Sequence, residues 1–316
     1  MKRICASVLM LAVCFAAAAC HAADDGTPTS TTISDQTMKS IIIYNYNKYG
    51  DMVSSTQSTT IMTTTVDDEG NTSTQVQHSV TTSKIIAGSV KPVETNTTFQ
   101  TTSDDGTVLS KGTAKTTYTY DSDGHLSGAS GWTKSDSFDD KTGKLASHVE
   151  SNDTYKIVAG EAQRVKSTVD SSKSFSYDKD GTTKLATISG YTNYEYTKLA
   201  GGSYVLSKEV SHNVQTPIDS KKEGATTQVT DKTKTYVRSS NGALTDIKLS
   251  GTMKLTVSAS GGTQTYTRTL LQPGDTYKTY NEDGSVKATK TVPKYIGYDP
   301  DVGYYIKAEY WSEVQE

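Results

Sequence analysis

The feature that most constrains this chain is a turn signal that returns about every 18–20 residues. Tyr120-Asp121-Ser122-Asp123-Gly124-His125-Leu126 is its clearest form. Phe138-Asp139-Asp140-Lys141-Thr142-Gly143-Lys144-Leu145 repeats it with one insertion, and Tyr177–Gly181 and Tyr280–Val286 follow the same plan. Weaker copies lie at 66–70, 103–108 and 239–244. The physics is shared. Asp or Asn bonds back to its own backbone and Gly accepts φ > 0, so an extended strand can reverse. The flanking aromatic and Leu or Val then face each other. A second class is apolar before the Gly: Ile85-Ile86-Ala87-Gly88, Ile157-Val158-Ala159-Gly160 and Lys198-Leu199-Ala200-Gly201-Gly202. Together the two classes place turns near 49, 68, 87, 105, 122, 141, 160, 180, 201, 221, 241, 261, 282 and 300.

Between turns the chain alternates. Met253, Leu255 and Val257 are separated by Lys254 and Thr256; Phe175 and Tyr177 flank Ser176; Tyr194 and Tyr196 flank Glu195. A period of two is the mark of a half-buried strand, and Thr, Tyr and Val suit a pleated surface. No useful helical period follows the N-terminus. The expected fold class is all-β: a repetitive antiparallel meander of long strands, built as a large twisted sheet, a sandwich or a partly closed barrel. If each interval is one strand, strands run about 14–16 residues, beyond the usual 5–6. Gly128, Gly190 and Gly251 fall at mid-interval, as bends in long strands or as second turns that split them.

The core must be thin. Leu, Ile, Val and Phe make up about 17% of the chain, whereas Thr and Ser exceed a quarter of it. Such poverty accompanies disorder when the net charge is large, but here it is −3 and there are 20 Tyr, which reads as a folded chain. An outer-membrane barrel needs a continuous apolar band. Stretches such as Thr59–Val66 and Thr226–Tyr236 cannot supply one.

The N-terminus reads as an address. Met1-Lys2-Arg3 is basic, Ile4–Ala19 is apolar, and Ala16–Ala19-Cys20-His21-Ala22-Ala23 precedes Asp24-Asp25. This resembles a bacterial export signal. Cleavage after Ala22 or Ala19 would release a soluble chain. Ala17-Ala18-Ala19-Cys20 also looks like a degenerate lipoprotein box, which would make Cys20 a lipidated first residue. The expected organisation is a signal over 1–22 (1–19 for a lipoprotein), a flexible polar tether over 23–38 and a β-hairpin repeat domain over 39–316. The location is periplasmic, outer-membrane-associated or secreted. All three Cys lie in the signal, so disulfides, thiolate catalysis and Cys-based zinc sites are excluded from the mature chain.

The Tyr-x-Tyr-Asp-x-x-Gly-x-Leu pattern at Tyr118–Leu126 resembles the YD repeat of bacterial Rhs-type surface proteins. The resemblance is fair at Phe175–Leu185 and Tyr280–Val286 and poor elsewhere. It implies a hairpin-repeat sheet that can wrap into a shell, and it does not imply a toxin, because no separate C-terminal domain follows.

Candidate chemistry is sparse. The Asp-x-Asp-Gly turns invite calcium, but an EF-hand loop needs an acid at its twelfth position, which is Trp132 counted from Asp121 and Ser189 from Asp178. His78, His125, His148 and His212 match no zinc spacing. Gly-x-Ser-x-Gly is absent, and the acids sit mostly in turns. No cofactor is expected. A near-neutral charge balance with interspersed signs offers nothing to nucleic acid, and no later segment is apolar enough for a membrane helix. What remains is aromatic: Tyr191, Tyr194 and Tyr196 in one cluster, and Tyr310 and Trp311 in another. Exposed flat rings stack on sugars or anchor protein partners; buried ones fill a core. The expected function is a structural or protein-interaction role in the envelope or medium. The alternative is carbohydrate binding through Tyr and Trp, and the third is a hydrolase without a recognisable motif. The expected partner is an envelope component, a surface protein or a glycan.

Overall fold

A computed structural model describes residues 31–67, 72–222, 224–239, 242, 244–259, 262–280, 285–292, 296–299, 303–306 and 311–312. The protein is all-β, and the described residues contain no helix. The strands are β1 (Thr31–Tyr46), β2 (Met52–Asp67), β3 (Thr72–Ile86), β4 (Ser89–Ser103), β5 (Val108–Tyr120), β6 (Leu126–Phe138) and β7 (Leu145–Val158). Then follow β8 (Glu161–Val169), β9 (Phe175–Tyr177), β10 (Lys184–Lys198), β11 (Tyr204–Pro217), β12 (Thr226–Arg238), β13 (Leu244–Ala259) and β14 (Gly262–Thr269). These fourteen form one antiparallel meander in chain order, open at both ends rather than closed as a clean barrel. Two small hairpins follow: β15 (Thr276–Tyr280) with β16 (Val286–Thr291), and β17 (Ile296–Asp299) with β18 (Gly303–Ile306).

β1 starts at Thr31, within the stretch read as a tether, so the domain begins eight residues before Lys39. The polar Thr/Ser run there pairs with β2, an alternation that low hydrophobicity conceals. Residues 23–30 and the export signal, including Cys20, lie outside the described residues.

The turn chemistry acts as its residues suggest. Asp121 Oδ1 accepts from the backbone N–H groups of Asp123 and His125, and Asp178 Oδ1 from those of Thr182 and Thr183. These bonds hold both carboxyls below the usual range. The flanking pairs form: Tyr120 opposite Leu126, Phe138 opposite Leu145 and Tyr280 opposite Val286, each beside a one-residue register shift. The Ala-Gly turns use two residues with φ > 0: Ala87 at 48° with Gly88 at 73°, and Ala159 at 53° with Gly160 at 81°. Most intervals are one long strand, and Gly128, Gly190 and Gly251 lie inside β6, β10 and β13.

Three intervals split: into β8 and β9, into β14 and β15, and into β16 and β17. β8 and β9 occupy a single lane between β7 and β10, and residues 170–174 stand opposite only 188 and 189 of β10. The excess loops out at Asp170–Lys173. Ser174 returns the chain, fully buried, with its hydroxyl bonded to the backbone N–H and C=O of Glu150. No Gly marks this loop, so the turn signals miss it.

Register divides the sheet into two unequal faces. One inner row runs Gln75, Thr101, Ser110, Ser137, Ser147, Ser176 and Ala186. The next but one runs Ser79, Thr97, Ala114, Thr133, Ser151, Val169 and Gly190. Ser110, Ser147, Ser176, Ala186, Thr97 and Thr133 are all buried. Small side chains bury one another only where the sheet curls toward them, and β6 does meet β8 across β7. The glycines permit the curl. A Cβ on Gly112 would lie 2.3 Å from the Lys134 carbonyl oxygen, and on Gly251 2.6 Å from that of Asp231. Hydroxyls bridge strands on this face, as between Ser79 and Thr97 at 2.9 Å and Thr81 and Thr95 at 3.0 Å.

Apolar burial concentrates at the C-terminal end. Ile247 and Leu249 of β13 pack with Leu270 and Val292, flanked by Tyr236, Leu244, Tyr277 and Trp311. Toward the N-terminus Phe99, 7% exposed, lies over Gly112.

Candidate functional site

The outer face carries charged and aromatic side chains in register. Register aligns Ser58, Val80, Asn96, Lys115, Trp132, Asn152, Thr168, Tyr191, His212, Asp231, Thr252 and Thr269 in one row from β2 to β14. Trp132 and Tyr191 sit on it, 36% and 37% exposed. Three strand spacings separate them, about 14 Å. Each ring has a lysine above it: Lys134 Nζ 5.7 Å from the Trp132 ring and Lys166 Nζ 5.1 Å from that of Tyr191.

Two shallow grooves lie along this face. The first, about 630 Å³, is lined by Val76, His78, Lys111, Lys134, Asp136 and His148 among others. Asp136 and His148 face each other across β6 and β7, with Nδ1 2.6 Å from Oδ1. The other ring nitrogen, Nε2, is 3.5 Å from Glu150 Oε1. Both imidazole nitrogens thus face carboxylates. Glu150 also meets Lys134 at 2.8 Å and Lys173 of the looped-out segment at 3.6 Å. The Lys134 hydrogen bond leads in holding the Glu150 carboxyl low. The second groove, about 430 Å³, contains Tyr191, His212 and Asp231. Here His212 Nδ1 lies 2.7 Å from Asp231 Oδ1, and the His212 and Tyr191 rings are 5.5 Å apart. So the outer face repeats one unit, a cross-strand His–Asp pair beside lysine and an aromatic ring. It is a polar surface with flat hydrophobic steps, suited to binding by stacking and hydrogen bonding.

The expected aromatic cluster is divided. Tyr191 is on the outer face. Tyr194 turns inward, where Arg164 stands 4.5 Å from its ring centre, and Tyr196 donates to the Arg164 carbonyl at 3.0 Å. Burial pushes the Tyr194 phenol up to about 12, with Arg164 pulling the other way. Around them Tyr155 bonds Thr116 at 3.3 Å, and Arg164 lies 3.6 Å from Asp153. Tyr194 and Tyr196 are half-buried among these side chains on the inner face. Alternation carries Tyr191 to the opposite face from Tyr194, and Leu206 stands opposite Tyr196 on the inner one. Trp311 is half-buried at the C-terminal end. It bridges to Leu270 and packs on the C-terminal apolar cluster. Tyr310 lies outside the described residues.

Trp132, Lys134, Asp136, His148, His212 and Asp231 escape a reading by motif, because none belongs to one. A signal exists in the Asp139–Lys144 turn. Pairing Phe138 with Leu145 and stepping past one bulge puts Asp136 opposite His148. Among the described residues no group of three or more His, Cys, Asp or Glu could hold a metal ion. The Asp-Gly turn carboxylates are occupied by backbone N–H groups. No protein-family model matches the chain, and no curated protein is similar to it.

Proposed function

We propose that this is an exported bacterial protein, acting in the envelope or the medium, that binds rather than catalyses. The outer face of its sheet meets an extended partner, a surface protein or a glycan. One observation carries the reading: an unbroken row of polar, charged and aromatic side chains crosses the sheet from Asn96 to Thr269 on an open face. A long, shallow, repeating surface suits a long partner, whereas small substrates are held in concave, largely apolar pockets. The spacing of Trp132 and Tyr191 on that row, each beside lysine, favours the glycan form of the proposal.

The test is cosedimentation of the mature protein with purified peptidoglycan sacculi, and affinity electrophoresis in neutral and acidic polysaccharides. Trp132→Ala and Tyr191→Ala should each weaken binding about tenfold or more, the loss of one stacked ring, with unchanged circular dichroism. Tyr194→Ala should lower stability instead. Background binding to every polysaccharide would end the glycan form and leave a protein partner, to be sought by cross-linking from position 132 in intact cells. Intact mass of the fractionated protein decides the address. Acylated Cys20 would anchor it to a membrane; a start at His21, Ala23 or Asp24, or at an unmodified Cys20, would make it soluble; and an uncleaved cytoplasmic chain would sink the export reading.

A further inference from the structure

The strand at the N-terminal edge has the wrong composition for an edge. Met38, Ile41, Ile42, Ile43, Tyr44 and Tyr46 are all large and all exposed, Ile43 at 59%. Alternation sends Ile41 and Ile43 to the outer face and Met38, Ile42 and Tyr44 to the inner one. A strand apolar on both faces is ordinarily a central strand. Among the described residues β1 pairs in the sheet only with β2, and its other edge offers backbone N–H and C=O groups that no described strand pairs. Natural edges are guarded by Lys, Pro, inward charges or bulges. Ser40–Asn45 has no charge and no Pro, and its first register shift comes only at Asn45/Tyr46. β18 touches β1, yet the side chains over 37–46 all stay exposed.

We propose that this edge is covered by the same edge of a second copy, through antiparallel β1–β1 pairing about a two-fold axis at Ile42. The sequence is self-complementary in that register. Ile42 meets Ile42, Ile41 meets Ile43, Ser40 meets Tyr44, Lys39 meets Asn45 and Met38 meets Tyr46. Opposite residues in an antiparallel pair share a face, so each copy's Ile41 and Ile43 continue the other's outer surface. No like charges confront one another, and the one charge in the paired span, Lys39, faces an amide. Sliding the register to pair all of β1 with itself would set Ile42 against Asp35, which disfavours it. The paired span of nine residues is about 30 Å long and the sheet edge about 10 Å thick. That lies at the small end for a specific interface, so the dimer is reversible. Pairing joins two outer rows into one surface of twice the length.

Analytical ultracentrifugation of the mature protein over a concentration series tests this. The expected result is a monomer–dimer equilibrium that Ile42→Lys abolishes while circular dichroism and the urea midpoint stay unchanged. A second variant keeps the register falsifiable. Ile42→Cys adds a thiol to a mature chain that otherwise has none beyond residue 20. Paired Cα atoms at about 4.5–5.5 Å permit a disulfide. It should form a covalent dimer at least about tenfold faster than Thr119→Cys on the exposed outer face, because pairing raises the effective thiol concentration. A wild-type monomer at every concentration overturns the proposal. So do species growing past the dimer, which would mark open-ended edge stacking, and equal cross-linking rates at 42 and 119.

Discussion

Phe99→Ala tests the claim that the inner face is a thin but specific core. The ring is 7% exposed and lies over Gly112, where an added Cβ would fall 2.3 Å from Phe99 Cζ. Removing it forfeits about 150 Å² of buried apolar surface. At about 25 cal/mol per Å² that is roughly 4 kcal/mol. Compactness of the unfolded chain reduces the figure to about 3 kcal/mol. Gly112→Ala is the complementary change. Its methyl would meet the ring at 2.3 Å and the Lys134 carbonyl oxygen at the same distance. The ring can swing aside; the backbone oxygen cannot. Overpacking of this kind costs about 1–3 kcal/mol. The double variant removes the ring contact but leaves the carbonyl contact. It should therefore be more stable than the summed single effects by about 1 kcal/mol, well above the scatter of independent sites. Urea unfolding followed by circular dichroism measures all four proteins at constant slope. A loss below about 0.5 kcal/mol for Phe99→Ala, the range of an ordinary surface change, would refute the packing argument, and strict additivity would refute the contact.

Three other outcomes follow from particular residues. Ala159 holds φ 53° beside an unobstructed Gly160, so Ala159→Gly should stabilise by about 0.5–1 kcal/mol, the strain relieved exceeding the added chain entropy; the urea midpoint reports it. Arg164 and Asp153 have side chains 16% and 6% exposed, and Asp153 Oδ1 has no hydrogen-bond partner among the described residues. Arg164→Leu should cost about 3 kcal/mol by stranding the carboxylate, and Asp153→Asn clearly less, again by urea unfolding. The carboxyls of Glu94, Asp105, Asp121, Glu150, Asp170 and Asp178 are all held below their ordinary values, chiefly by hydrogen bonds from their neighbours. Folded values below unfolded ones mean stability that is complete above the ordinary carboxylate range and lost as pH falls below about 4. A urea midpoint measured against pH should show this acid limb, and Asp121→Asn with Asp178→Asn should flatten it.

Much of this protein is local chemistry, and that part is legible in the chain. The Asp-x-x-Gly and Ala-Gly signals define the strand ends because they act within a few residues, and alternation between them is enough to specify long strands. Tyr120 opposite Leu126 follows from its turn alone. Two features escape that logic. The Asp170–Lys173 loop is held by Ser174 gripping the Glu150 backbone from another strand, and Thr31–Met38 becomes strand through pairing with β2 rather than through hydrophobicity.

The sequence by itself determined the class, the meander and the near-absence of a conventional core, since all three rest on period and composition. Only the tertiary structure decided which face each side chain joins. A one-residue register shift moves every later side chain to the other side of the sheet, and several hairpins here carry such a shift. Pairing across β6, β7, β8 and β10 puts Trp132 and Tyr191 in one outer row, while Tyr194 and Tyr196 line the interior. Trp311 is held by Leu270, 41 residues back along the chain, a contact no local pattern encodes. Curl set by glycine, not hydrophobicity, makes one face inner and buries its serines and threonines.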